Sequence, residues 1–192
     1  MTLEEQLAVA SPNQSDDSKW FYFDDLAVGQ RFVSGTHRLD EGQIKAFAKQ
    51  FDPQPFHVDA KAAQETFFKG LVASGWHTAA ITMRLLVESG MSIAGGLIGA
   101  AAELTWPKPT RPDAILHVET EVIELKPSRS RPDRGMATIR SETRNQLGEV
   151  VQVLVAKLVV PRRVSGAGQQ TRLPGESDGQ QQSPLVGPSI KP

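Results

Sequence analysis

Residues 74–90 read SGWHTAAITMRLLVESG. After the first turn only Arg84 and Glu88 are charged. Ala79, Ala80, Met83, Leu86 and Val87 fall on one stripe at helical spacing, and Ile81 and Leu85 widen it. The spacing predicts a helix so apolar that it must be covered on most sides. Ser74 stands where a helix cap is wanted, and Gly75 opens the first turn. Past Gly90 the pattern turns to strands: GLIGAAAELTW, ILHVETEVIEL, GMATIRSETR and EVVQVLVAKLVV. NQLG (145–148) suits a hairpin connection between the last two. KPSRSRPDRG (126–135) forms the other long connection.

Upstream, QRFVSGTHRL (30–39) reads as a short strand. DEGQIKAFAKQF begins with Asp40 as a helix cap, with Ile44, Phe47, Ala48 and Phe51 at helical spacing. DAKAAQETFF reads as another short helix. The expected fold class is therefore α+β: an antiparallel sheet wrapped around one central apolar helix.

The chain has 192 residues, 39% hydrophobic and 22% charged, which suits one folded unit with tails. A loose arm is expected over 1–19, a folded domain over 20–163, and a disordered tail over 164–192, where Gly, Pro, Gln and Ser dominate. The formal net charge of -1 gives no global attraction to nucleic acid or to anionic membrane. The absence of cysteine excludes disulfides, thiolate metal sites and a catalytic thiol. GMSIAGGLIGAAAEL (90–104), the most apolar stretch, falls short of the roughly 20 residues of a membrane span. The N-terminus lacks a charged-then-apolar leader pattern, so a cytoplasmic location is expected.

FDPQPFHVDA (51–60) sets Asp52 and His57 five residues apart, with two prolines between them. One reading is a stiff turn and nothing more. The other is a preorganised carboxylate–imidazole pair holding one water for general acid–base work. Gly75 has a similar double reading. It relieves packing beneath the helix that Ser74 caps, or it opens the free N–H groups of the helix start to a thioester oxygen.

FDPQPFHVD followed by FKGLVASGWHTAA resembles the MaoC-like dehydratase family, which includes the (R)-specific enoyl-CoA hydratases. The family signature is Asp, a variable residue, Asn or a related amide, Pro, an apolar residue and His. Asp52, Gln54, Pro55, Phe56 and His57 match it in order. LTWPKPTRPDAIL (104–116) also resembles the family's first segment after the central helix. The resemblance implies a hot-dog fold, working as a homodimer or higher homo-oligomer. It implies addition of water to an enoyl thioester, or the reverse dehydration, on coenzyme A or an acyl carrier, without metal or other cofactor. Asp52 and His57 would be catalytic; Gly75, with Ser74, Trp76 and Gln54, would bind substrate around the oxyanion site. A thioesterase on the same fold and a non-catalytic acyl-CoA-binding or partner subunit are the alternatives. Three departures bear on substrate choice: Gln50-Phe51 replaces a small Ser-Gly pair, Gln54 replaces Asn, and RPDA (111–114) replaces a Pro-Gly-Asp turn. Phe51 and Phe56 are the residues expected to alter pocket size.

Other candidates are weaker. His77 is read as packed or capping, and His37 and His117 as structural. His57 with Asp59 supplies two ligands of a metal at most. LVASG lacks the glycine that a nucleophile elbow needs two positions before its serine. The basic loop 126–135 reads as a solvated hairpin tip, without the interleaved aromatics of a nucleic-acid site.

Overall fold

The computed structural model describes residues 20–163. The readings of 1–19 as an arm and 164–192 as a disordered tail lie outside the described residues. The elements run β1 (Arg31–Val33), β2 (His37–Leu39), α1 (Glu41–Phe51), α2 (Pro55–Val58), α3 (Ala60–Gln64), α4 (Gly75–Val87), β3 (Ile98–Thr105), β4 (Ala114–Pro127), β5 (Arg134–Arg144) and β6 (Val150–Pro161). The six strands are all antiparallel, in the order β1-β4-β5-β6-β3, with β2 also on β4. This sheet wraps α4, which is the hot-dog fold. The alternation of Leu116, Val118 and Val122 on β4 puts every second side chain into the core beneath α4.

The segment 30–39 is not one strand. Ser34–Thr36 break it in two, and Ser34 still ties the break to β4 through Ser34 N–H to Val118 O at 2.9 Å. Asp40 caps α1 as expected, accepting from the Gln43 N–H at 2.8 Å. The 145–148 turn closes with Gly148 N–H to Asn145 O at 2.9 Å and Gly148 in the left-handed region at φ 74. In RPDA, Asp113 adopts φ 63. The turn thus keeps a glycine-like backbone with an aspartate, a residue type that tolerates this region, and Arg38 pairs with its carboxylate at 2.8 Å.

The buried face of α4 differs from the predicted stripe. His77, Thr78, Ile81, Thr82, Leu85 and Leu86 are buried, while Met83 is 47% exposed and Val87 64%. The facing hydroxyls explain the difference. Thr110 of the β3–β4 connection bonds Thr78 at 3.0 Å, and Thr143 of β5 bonds Thr82 at 2.6 Å, so polar residues go inside at little cost. Periodicity scores threonine as polar and chooses the other face. No helix among the described residues is long and apolar enough to cross a membrane.

Candidate active site

Pro53 forces the chain out of the helix at Asp52, since the residue before a proline avoids the helical region. Asp52 accordingly sits at φ -155, ψ 68, with its N–H still bonded to Ala48 O. Pro55 then opens α2 at its first position, where its missing N–H costs nothing. The two prolines therefore end one helix and start the next. His57 lies on that single turn, 5% exposed.

The tautomer of His57 follows from its partner. Nδ1 lies 2.8 Å from the Val72 carbonyl, which can only accept, so Nδ1 carries the proton. Nε2 of the neutral ring is then a lone-pair acceptor, 3.4 Å from Asp52 Oδ2. Two acceptors at this distance do not bond each other; they flank a position that a single water can fill by donating to both.

Asp52 is held on both sides. Ser74 Oγ donates to its Oδ2 at 2.7 Å, and Gln54 Nε2 donates to its Oδ1 at 2.7 Å. Burial pushes the carboxyl up, but the Ser74 and Gln54 hydrogen bonds, together with the charge that His57 carries when protonated, outweigh it, leaving Asp52 below its ordinary value. Ser74 also accepts from the Trp76 N–H at 3.2 Å, so one buried hydroxyl joins the carboxylate to the start of α4. Its hydroxyl is thereby committed to positioning. Among the described residues the Gly75 N–H has no hydrogen-bond acceptor, as expected in a first helical turn.

These groups line a cavity of about 390 Å³ with Asp52, His57, Gly75, Trp76, Trp106 and Phe56 among its walls. Phe56 is on the wall as expected. Phe51 is not; it is 63% exposed and packs on Phe47 at 5.0 Å between ring centres. Asp59 caps α3 by accepting from the Lys61 and Ala62 N–H groups, which accounts for it without a metal role beside His57.

The sequence pattern of the MaoC-like domain matches residues 26–145. The chain belongs to the MaoC-like dehydratase family. A MaoC-like dehydratase from Rhodospirillum rubrum is 60% identical, with a TM-score of 0.74 over 76% of this chain and 99% of that one. The R-hydratase PhaJ1 from Pseudomonas aeruginosa is 28% identical, with a TM-score of 0.60 over 82% of this chain and 96% of that one. The uncharacterised protein YdeM of Bacillus subtilis (strain 168) is 36% identical over 126 residues, 64% of this chain and 86% of that protein.

In this MaoC-like chain the structure brings Asp52, Gln54, His57, Ser74, Gly75 and Trp76 around one cavity. His77 is off the wall: it stacks on Phe47 at 4.5 Å and 2° between planes, and its buried Nδ1 has no partner among the described residues. His37 bonds Gln43 at 2.9 Å, whereas His117 faces Glu119 at 3.4 Å, an acid two positions along the strand. The sequence gives no site role to several wall residues, Phe67, Phe68, Val72 and Trp106 among them. Phe67 and Phe68 fall in a turn beyond α3 rather than in the helix expected there, and Val72 acts through its carbonyl, which no side-chain pattern reveals. Trp106 is quoted only as family likeness, although a tryptophan before a Pro-Lys-Pro turn is a usable signal.

Burial, then the nearby His37, pushes His77 down from 6.5 to about 4. The unfolded chain takes up this proton below 6.5 and the folded chain only near 4, so folding stability is expected to fall across that window as pH drops. The loss reaches on the order of 3 kcal/mol. Denaturant melts at stepped pH should show a flatter decline for His77→Leu than for wild type; parallel curves would contradict the assignment.

Proposed function

We propose that the chain is an acyl-thioester hydro-lyase, adding water to an enoyl-CoA-type substrate or removing it. The proposal includes an acyl-CoA or acyl-carrier thioester as substrate, a homodimer as the working unit and the cytoplasm as its place. The observation that carries it is the His57 Nε2 and Asp52 Oδ2 pair, 3.4 Å apart with the imidazole proton committed to Val72. The R-hydratase name of PhaJ1 supports the same reading.

In this mechanism His57 is the group that changes charge, because Asp52 is held ionised. Water gives one proton to His57 Nε2 as its oxygen bonds the β-carbon. The double-bond electrons move through the α-carbon onto the thioester oxygen, which the Gly75 N–H faces. The α-carbon then takes the proton back from Nε2. Asp52 orients the water and balances the transient imidazolium.

Wild type is expected to consume crotonyl-CoA with loss of the conjugated enoyl-thioester absorbance. Release of free thiol instead would move the reading to a thioesterase. Tight acyl-CoA binding without turnover across chain lengths would move it to a binding subunit.

The homodimer rests on surface chemistry. β3 is a sheet edge exposed along nearly its whole length, rich in Ala and Gly, and Met83 of α4 lies beside its Ala100–Ala102. A long edge whose one charged residue is Glu103, next to an apolar helix face, calls for cover. Light scattering after size exclusion should give a dimer, and Met83→Glu should weaken it roughly tenfold or more, since the new charge meets its own copy or is desolvated. A monomeric wild type would contradict this assembly.

A further inference from the structure

Gln152 on β6 is fully buried on the inner side of the sheet. Both ends of its amide are used. Oε1 accepts from the Trp106 indole N–H at 2.9 Å, and Nε2 donates to Thr82 Oγ1 at 2.9 Å. Thr82 passes its own proton to the Thr78 carbonyl at 2.9 Å, so it has lone pairs free for Gln152 and Thr143. The amide orientation is thus fixed, because an indole N–H can only donate.

Stability alone does not ask for this arrangement. Trp106 is 42% exposed, so an indole released from Gln152 can turn its N–H to water. An apolar residue of the same shape at 152, with the indole turned to solvent, is close to neutral for folding. What the bond adds is a single indole position. That position is tight: a methyl on Gly75 would lie 2.8 Å from Trp106 Cε2. The indole therefore stands directly against the helix start, with Trp76 edge-on to it at 5.8 Å.

We infer that Gln152 is a positioning residue that holds the Trp106 indole beside Gly75, and that Trp106 thereby limits the bulk a substrate can carry on the carbon next to its thioester. The inference rests on the hydro-lyase reading, which sets the thioester oxygen at the Gly75 N–H. The α-carbon is one bond from that carbonyl, so a branch there meets the indole, whereas groups beyond the β-carbon do not.

The test compares crotonyl-CoA with its 2-methyl analogue, tiglyl-CoA, in the full chain. Wild type prefers the unbranched substrate. Gln152→Met keeps the side-chain shape without either hydrogen bond, and the preference in kcat/KM is expected to fall about tenfold or more, one methyl group's worth of discrimination. Trp106→Phe should lose it too, and the double variant should lose no more than the larger single. In wild type the Trp106 indole N–H exchanges slowly with water; in Gln152→Met it exchanges fast. A Gln152→Met protein with a lower melting temperature but the wild-type preference overturns the inference, as do additive losses in the double variant. If wild type hydrates neither substrate, the hydro-lyase reading fails separately. Dissociation constants for butyryl-CoA and 2-methylbutyryl-CoA then decide the inference, and a wild type that does not discriminate between them overturns it.

Discussion

His57→Ala is expected to lower kcat for crotonyl-CoA hydration between about 100- and 10,000-fold, the span of a positioned acid–base group. Asp52→Asn should fall in the same range for a different reason. The asparagine keeps the Ser74 contact but carries no charge to steady the imidazolium, and its amide can present a donor where the water needs an acceptor. Neither change should unfold the chain. His57 has one side-chain hydrogen bond to lose, to Val72, and Asp52 sits at a helix end. Steady-state kinetics beside a thermal melt separate the cases: folded variants with full turnover would sink the mechanism. Asp52 has a further signature. Its carboxyl lies below the ordinary value, so its stabilising contribution is present above the unfolded value of 3.8 and is lost as pH falls through the folded one. The Asp52 anion that orients the water should therefore persist well into mild acid.

Gly75→Ala is the second large effect. Helix propensity favours alanine over glycine by up to about 1 kcal/mol. Sterics oppose it: the new methyl would meet three atoms of the Trp106 ring, at 2.8, 3.1 and 3.1 Å. The indole cannot swing aside freely while Gln152 holds its N–H. Overpacking of this kind costs about 1–3 kcal/mol, so the substitution is expected to destabilise on balance. Either the indole or the helix start must move, and a displacement near 1 Å at a reacting carbonyl lowers turnover about 100-fold. Combining it with Trp106→Ala should recover part of the stability, giving a coupling of opposite sign to the single losses. A Gly75→Ala protein as stable as wild type would show that the contact is not tight. The experiment also bears on the two readings of Gly75. Its close packing is plain in the structure, and the proposed mechanism adds an N–H turned to the cavity that Gly75 lines.

The carboxylate–imidazole motif, the capping serine and the glycine were all legible in the chain, because each depends on local chemistry. Proline after Asp52 ends a helix wherever it stands, and Ser74 before an apolar run is a cap by its own short side chain. The order of α1, the central helix and the four later strands was legible for the same reason. What escaped depends on partners distant in sequence. The face of α4 that goes inward is chosen by Thr110 and Thr143, which lie 32 and 61 residues away. The tautomer of His57 is chosen by a backbone carbonyl 15 residues on.

By itself, then, the sequence determined the family and the α+β plan, and it singled out the carboxylate, the imidazole and the helix start that the proposed function uses. Periodicity and side-chain type are properties of neighbouring residues, and they survive without a fold. Only the tertiary structure decided which acceptor His57 keeps free, how Ser74 and Gln54 hold Asp52 ionised, and that Gln152 reaches Trp106 across 46 residues. Hydrogen bonds need a donor and an acceptor within about 3 Å. No spacing in the chain can announce a meeting that is made when the sheet closes around the helix.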